Sequence, residues 1–329
     1  IRGLSGARGV LVGRLLNAGE DVSSVFNGEG YGPLPLSDEE CVVVAKPKGE
    51  MPRAVGLDVP VWLEPYFDGD DDYARLKMRA PIDLRVNLRK SNLTKAARAL
   101  ALDGIETDPV DVASTALRVR GETRKIPQTT LYKNGDVELQ DAGSQALIEA
   151  LEMPQTGRVL DYCAGGGGKT LAMTARAGNS VQFSAYDIDQ DRLRGLRERA
   201  QRADIRVKLL KGDPVKDKHK YDLIVLDVPC SGSGAWRRSP DAKWKLDANR
   251  LAALVDTQAE ILSRCSELLS EDGTLAYMTC SLFKTENEDQ IETFLARNPQ
   301  WALQTQRNFR LADGSDGFFL STLRKLTHL

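Results

Sequence analysis

From residue 143 onward, short apolar runs alternate with amphipathic stretches. The runs RVLDYC, VQFSAYD, RVKLLKGD, YDLIVLD and TLAYMTC read as buried strands, and GFFLSTLRK follows later. Between them KTLAMTARAG, DQDRLRGLRERAQRA, ANRLAALVDTQAEILSRCSELL and TENEDQIETFLARN read as helices. Strand and helix in alternation imply right-handed crossovers, so the pattern predicts an α/β fold with a doubly wound parallel sheet. Nearly every strand ends in an acid or a cysteine. Ligands collect beyond the carboxyl ends of such strands, which makes Asp161, Asp187, Asp213, Asp227, Cys230 and Cys280 candidates for one site.

Upstream the rhythm is different. Residues 1–60 hold an amphipathic helix, ARGVLVGRLLNAG, and a Gly/Pro-rich stretch, NGEGYGPLPLSDEE, and are expected to form a small helical segment. Residues 61–142 read as an α+β module: a helix around Trp62 to Phe67, an acidic loop GDDD, a strand LRVNL, a helix SNLTKAARALAL and a second strand TALRVR. Asn134-Gly135, between TTLYK and DVELQ, is a hairpin signal. The expected division is therefore 1–60, 61–142 and 143–329.

At 329 residues, 41% hydrophobic and 28% charged, the chain has room for two or three domains and the composition of a globular protein. No run is apolar and long enough to span a bilayer, and the start at Ile1 lacks the basic and apolar regions of a signal peptide. The five cysteines show neither CxxC nor Cys/His ligand spacing, so reduced thiols in the cytoplasm are expected, with no disulfide framework and no metal. Net charge is only −2, but basic residues concentrate in the 61–142 module. Arg75, Lys77, Arg79, Arg85, Arg89, Lys90, Lys95 and Arg98 face one acid, Asp83, and Arg118, Arg120, Arg124 and Lys125 follow. Such an excess either tracks a phosphate backbone or is a solvated basic face.

The segment DYCAGGGGKT follows the first strand of the α/β region and opens a helix, where glycines let a nucleotide-type ligand approach the backbone. A P-loop would need glycine where Cys163 stands, and GxGxxG would need it at Thr170 or Leu171, so both patterns fail. What remains suits a ligand with a nucleoside and little phosphate. Asp187 is placed to accept from a ribose diol and Asp213 from an adenine amino group, and S-adenosylmethionine offers both without a phosphate. Taken singly, each acid is more often a strand-end cap, but four in register with a tetraglycine loop favour a cofactor site.

A thiolate is a strong soft nucleophile and suits addition to C6 of a pyrimidine, which activates C5 toward a methyl sulfonium. Asp227 would then stabilise or protonate N3, and Cys230, three residues on, is near enough to assist removal of the C5 proton. Cys41, Cys163 and Cys265 are expected to be packing residues. His219 and His328 sit in a charged loop and at the terminus, so histidine acid-base chemistry is not expected.

In order and spacing, DYCAGGGGKT, DIDQDRLRGLRERA, DLIVLDVPCSGSGAWRRSPDAKW, YMTCSLFKTENEDQI and DGFF resemble the motifs of the RNA cytosine-C5 methyltransferases of the Sun (RsmB-like) family. The resemblance extends upstream through LRVNL and VELQDAGSQ and covers roughly residues 60 to 329. It implies a class I (Rossmann-like) fold using S-adenosylmethionine, an N-terminal RNA-binding module, and RNA as partner. Ribosomal RNA is the expected substrate, with its cytosine unpaired or extruded, and a monomer is the expected state. Carried over by position, Cys280 resembles the nucleophile, Cys230 the cysteine that helps release product, and Asp227 the acid beside the base. Cofactor contacts are expected at Cys163, Ala164, Gly165, Gly166, Gly167, Gly168, Lys169, Asp187, Arg192, Asp213 and Asp227. The family usually reads CAAPGGK; Gly165 and Gly166 replace its alanine and proline, which is expected to loosen the loop and lower cofactor affinity. A tRNA enzyme of the same chemistry and a non-catalytic RNA-binding or ribosome-assembly factor are the alternatives.

Overall fold

The computed structural model describes the chain apart from residues 1–3, 5, 46–52, 68, 70, 217, 218 and 327–329. Asp70 of the expected acidic loop and His328 therefore lie outside the described residues. The chain divides between Gly56 and Leu57 into two compact units. The first is helical, with helices Gly6–Ala18, Val22–Val25 and Asp38–Ala45 and its own core of Val12, Leu15, Val22 and Phe26. Within it Arg8 pairs with Glu40 at 2.7 Å. Cys41, expected to pack, is exposed, because the Asp38–Ala45 helix buries none of its residues.

The second unit holds two sheets. The smaller comprises β1 (Asp83–Val86), β2 (Glu106–Val110), β3 (Ala113–Arg120) and β4 (Val137–Leu139), in the order β2-β3-β1-β4 and antiparallel throughout. The helix Leu93–Leu102 starts at an Asn92 cap, whose side chain accepts from the Lys95 amide. Its Ala96 and Leu100 pack with Leu84, Val86, Leu117 and Val119.

The expected hairpin does not form. TTLYK instead makes a short helix, Thr130–Lys133, capped by Thr129. Asn134-Gly135 terminates that helix: Gly135 sits at φ +72 and its amide donates to the Tyr132 carbonyl. A left-handed glycine closes a helix as readily as a hairpin, and β4 pairs with β1 instead.

The larger sheet runs β10-β11-β9-β8-β5-β6-β7. Its members are β5 (Gly157–Asp161), β6 (Val181–Ala185), β7 (Val207–Leu209), β8 (Tyr221–Asp227), β9 (Leu269–Thr279), β10 (Trp301–Phe309) and β11 (Phe318–Lys325). From β7 to β9 every pairing is parallel, as expected. The sheet as a whole is mixed, because β11 returns antiparallel against β9 and β10 antiparallel against β11.

Alternate residues of the central strands feed two cores. Leu223, Val225, Ala276 and Met278 face one side with Ala172 and Met173 of the Gly168–Arg176 helix. Leu160, Ile224, Leu226 and Leu275 face the other with Leu262 and the buried Cys265 of the Ala248–Ser266 helix.

The basic excess in residues 75–125 is mostly exposed, but several of its members are tied to neighbours within the chain. Arg85 is buried and donates to Gln140 at 2.7 Å. Arg118 pairs with Asp83 at 2.8 Å, and Arg120 pairs with Asp108. Lys90 donates to the carbonyls of Asn134 and Arg202, and Arg89 to the Asn179 side chain at 2.7 Å. Arg89, Lys90 and Arg120 are nevertheless exposed, as are Arg75, Lys77, Arg79, Lys95, Arg98, Arg124 and Lys125.

The small sheet meets the helix Arg194–Arg202 at Glu138 of β4, which is buried and accepts from Arg199 at 3.1 Å and from Arg202. Burial pulls the nearby Arg85 guanidinium down to about 10, opposed by Glu138 and reinforced by Arg199. Removing Glu138 would leave this cluster of cations without its counter-charge. We expect Glu138→Ala to cost roughly 3–5 kcal/mol, read as the loss of stability in urea unfolding, and a cost near zero would remove Glu138 as the clamp.

Candidate active site

The carboxyl ends of β5, β6, β7, β8 and β9 open on a cavity of about 550 Å³. At its floor, β5 ends in Asp161 and the chain turns through the glycine loop into the Gly168–Arg176 helix. Gly167 caps that helix at φ +80, and a Cβ there would stand 2.2 Å from Leu196 Cδ1. Gly165, at φ +52, donates its amide to Asp187 Oδ2 at 2.7 Å, and a Cβ there would meet Arg192 Nη2 at 2.7 Å. Both positions demand glycine.

The acids that end successive strands are held by the loops they organise. Asp187 is buried; besides Gly165 it accepts from the Asp189 amide at 2.9 Å, and Arg192 lies 3.6 Å away. Asp213 accepts from the Tyr162 hydroxyl at 3.2 Å and from the Val215 amide at 3.0 Å, and it pairs with Arg264. The rings of Tyr162 and Tyr186, 5.0 Å apart, line the wall between these acids together with Ile261.

At the other end stand the reacting groups named from the sequence. β8 and β9 pair in parallel with Asp227 opposite Met278. Beyond that register the Val228 amide donates to the Met278 carbonyl, and the Gly234 amide to the Cys280 carbonyl. The two loops thereby bring Cys230 Sγ to 3.4 Å from Cys280 Sγ. Lys169, expected among the cofactor contacts, pairs with Asp227 at 2.7 Å. Every residue named from the sequence lines this cavity except Gly167, which faces Leu196 behind the loop.

The electrostatics follow from burial and pairing. The hydrogen bond that its thiol makes to Cys280, then burial, push Cys230 well above its ordinary value. Burial works against the Lys169 ammonium, yet Asp227 holds it above the usual lysine range. Asp161 is pushed up to about 7, chiefly by burial, although the Thr170 hydroxyl donates to it at 2.6 Å. Its Oδ1 is buried and has no hydrogen-bond partner.

One residue that pattern reading passed over is Glu286, in the segment KTENEDQI. Fully buried, it accepts from the Ser231 amide at 2.7 Å, the Gln258 side chain at 3.0 Å and the hydroxyls of Ser231 and Ser281. Ser231 follows Cys230 and Ser281 follows Cys280, so one carboxyl group joins the two thiol loops. Asn287 adds a second tie, accepting from Thr279 and donating to the Ser281 carbonyl at 2.9 Å. An acid followed by Asn-Glu at a helix start looks like capping, and nothing local reveals that its partners come from three other elements.

A doubly wound sheet closed by an antiparallel strand pair, with a glycine loop and strand-end acids around one cavity, is the architecture of a class I methyltransferase. Residues 148–324 match the model of the family described as 16S rRNA methyltransferase RsmB/F, and the chain belongs to that family. Ribosomal RNA small subunit methyltransferase B of Photorhabdus laumondii is 34% identical over 262 residues, covering 75% of this chain and 60% of the relative. Its namesake in Vibrio cholerae is 35% identical, covering 75% and 59%. The chain thus spans about 60% of the length of these relatives. Among solved structures, PH0851 superposes with a TM-score of 0.78 at 25% identity, covering 88% of this chain and 72% of that one. A methyltransferase homolog from Pyrococcus horikoshii gives 0.73 at 23% identity, covering 83% and 98%.

Two outcomes are expected. Between the ordinary Asp value of 3.8 and about 7, folded Asp161 keeps a proton that the unfolded chain has released, so this group lowers stability as pH rises through that window. The stability of Asp161→Asn relative to the parent should rise from about pH 4 and level off above about pH 7, by a few kcal/mol in denaturant titrations; a difference flat with pH would contradict the burial argument. Glu286→Ala leaves several buried donors unmet and should cost on the order of 3 kcal/mol by thermal unfolding, more than Ser281→Ala; equal costs would deny Glu286 its bridging role.

Proposed function

We propose that this chain methylates C5 of a cytosine in small-subunit ribosomal RNA, with S-adenosylmethionine as methyl donor and a covalent cysteine adduct at C6. The observation that carries the reading is the thiol pair at 3.4 Å beside the Lys169 to Asp227 ion pair, in the same cavity as the glycine loop. Family membership and the names of the relatives support the substrate.

The residues present fit the cofactor. A cavity of about 550 Å³ suits a nucleoside-sized ligand, Asp187 and Asp213 end adjacent strands, and the orphaned Asp161 Oδ1 borders the same space. Residues Cys163 to Gly166, Gly168, Lys169, Asp187, Arg192 and Asp213 would hold it, with Gly167 shaping the loop from behind. When bound, it supplies an electrophilic methyl group on a sulfonium.

The chain's own groups supply the rest. The Cys280 thiol loses its proton to solvent and its sulfur adds to C6, which places negative charge on the ring toward N3. Asp227, braced by Lys169, stabilises or protonates N3 as that charge develops. Cys230 keeps its proton while it bonds to Cys280. Once Cys280 has bonded to carbon, Cys230, 3.4 Å from that sulfur, assists removal of the C5 proton and release of the product. Stacked in a helix, a base does not expose C6 to a thiol, so the cytosine is unpaired or extruded. Residues 61–142 contact flanking RNA through the cations that remain exposed, and residues 143–329 carry the chemistry.

With labelled cofactor and 16S rRNA, Cys280→Ala should abolish methyl transfer, while Cys230→Ala should accumulate a covalent protein-RNA adduct visible on denaturing gels. An active Cys280→Ala, together with no adduct from Cys230→Ala, would refute the division of roles.

A further inference from the structure

The helix Arg194–Arg202 and the edge strand β7 divide their cations into two sets. Arg199 and Arg202 point inward and are pinned to Glu138. On the opposite side Arg197, Arg206, Lys208 and Lys211 are exposed, and among the described residues none of them pairs with a carboxylate.

Three of these cations, Arg197, Arg206 and Lys211, line two recesses, whereas Lys208 alternates with Val207 and Leu209 and lines neither. The larger, about 770 Å³, has Arg89, Arg197 and Arg206 in its walls, an apolar floor that includes Phe183 and Val207, and one acid, Asp204. The smaller, about 380 Å³, shares Arg197 and Leu209 with it and adds Lys211 and Arg194, the latter paired with Asp191 at 2.7 Å; no acid lines it. Arg197 therefore stands between two basic hollows at the free edge of the sheet, away from the cofactor cavity, whose lining includes neither Arg197 nor Arg206.

We infer that this β7 edge is a second docking surface for the ribosomal RNA backbone, additional to the 61–142 module. The inference rests on the proposed rRNA substrate. Charge decides the occupant: unpaired guanidinium and ammonium groups over an apolar floor match phosphates flanking a ribose, and each phosphate contact releases counterions. Lysine on an edge strand also blocks strand pairing, which accounts for Lys208 but not for arginines lining hollows.

The test uses the full chain and transcribed 16S rRNA, with filter binding across a salt series. Arg197→Ala/Arg206→Ala/Lys211→Ala should reduce the slope of log Kd against log salt by about two to three and weaken binding at least about tenfold near 0.15 M salt. The charge-retaining triple Arg197→Lys/Arg206→Lys/Lys211→Arg should bind like the parent, which separates lost contacts from misfolding. An unchanged slope in the alanine triple overturns the inference, as do crosslinks from position 201 that reach a ribosomal protein and not RNA in precursor particles. Failure of the parent chain to bind or methylate rRNA would overturn the proposed function itself, a result distinguishable from an altered edge alone.

Discussion

The parallel register of β8 and β9 is the constraint on which the site depends. Asp227 lies opposite Met278, so the acid, the loop bearing Cys230 and the loop bearing Cys280 leave the sheet side by side. A slip of one residue would reverse every side chain of a strand buried on both faces, exchanging Leu223 and Val225 with Ile224 and Leu226 between two filled cores. Core packing thereby enforces a sulfur-to-sulfur distance. The sheet alone leaves the loops free beyond Asp227 and Thr279, and there Glu286 and Asn287 take over.

Charge does two kinds of work in this molecule, and sequence density does not distinguish them. Arg85, Arg118 and Lys90 sit in the most basic stretch yet are tied to Gln140, Asp83 and backbone carbonyls. Arg199 is tied twice: its guanidinium donates to the Gly166 carbonyl in the cofactor loop and to Glu138 in the small sheet. The loop expected to receive the methyl donor and the sheet expected to face RNA are thus braced through one side chain. A mutation of Arg199 would disturb both without touching either ligand.

The parallel strands and their rim were legible because continuous apolar runs bounded by acids or cysteines have few other readings. Thus Asp161, Asp187, Asp213, Asp227, Cys230 and Cys280 do border one cavity. Strands β2 and β10 were not legible. ETDPV contains a proline and WALQTQRNF buries only its two ends, so neither carries the alternation that marks a strand. Asn134-Gly135 was misread because a left-handed glycine serves two kinds of turn. Glu286, Tyr186 and Arg264 escaped because their importance lies in partners far away in sequence.

The departure at the glycine loop separates into two effects of opposite sense. At Gly165 the backbone stands at φ +52, where a Cβ would be strained and would press on Arg192, so glycine relieves the folded state. At Gly166 no such demand exists: a Cβ would meet Arg199 only at ordinary contact distance, and no described backbone hydrogen bond uses its amide. Glycine there adds freedom chiefly to the unfolded chain, a cost of about 0.4–1 kcal/mol relative to a compatible proline. The folded loop is meanwhile pinned by Asp187 to Gly165, by the Tyr186 carbonyl to the Ala164 amide and by Arg199 to Gly166. Looseness inferred from composition thus belongs mainly to the unfolded state, because the folded loop is held by groups that a local motif cannot display.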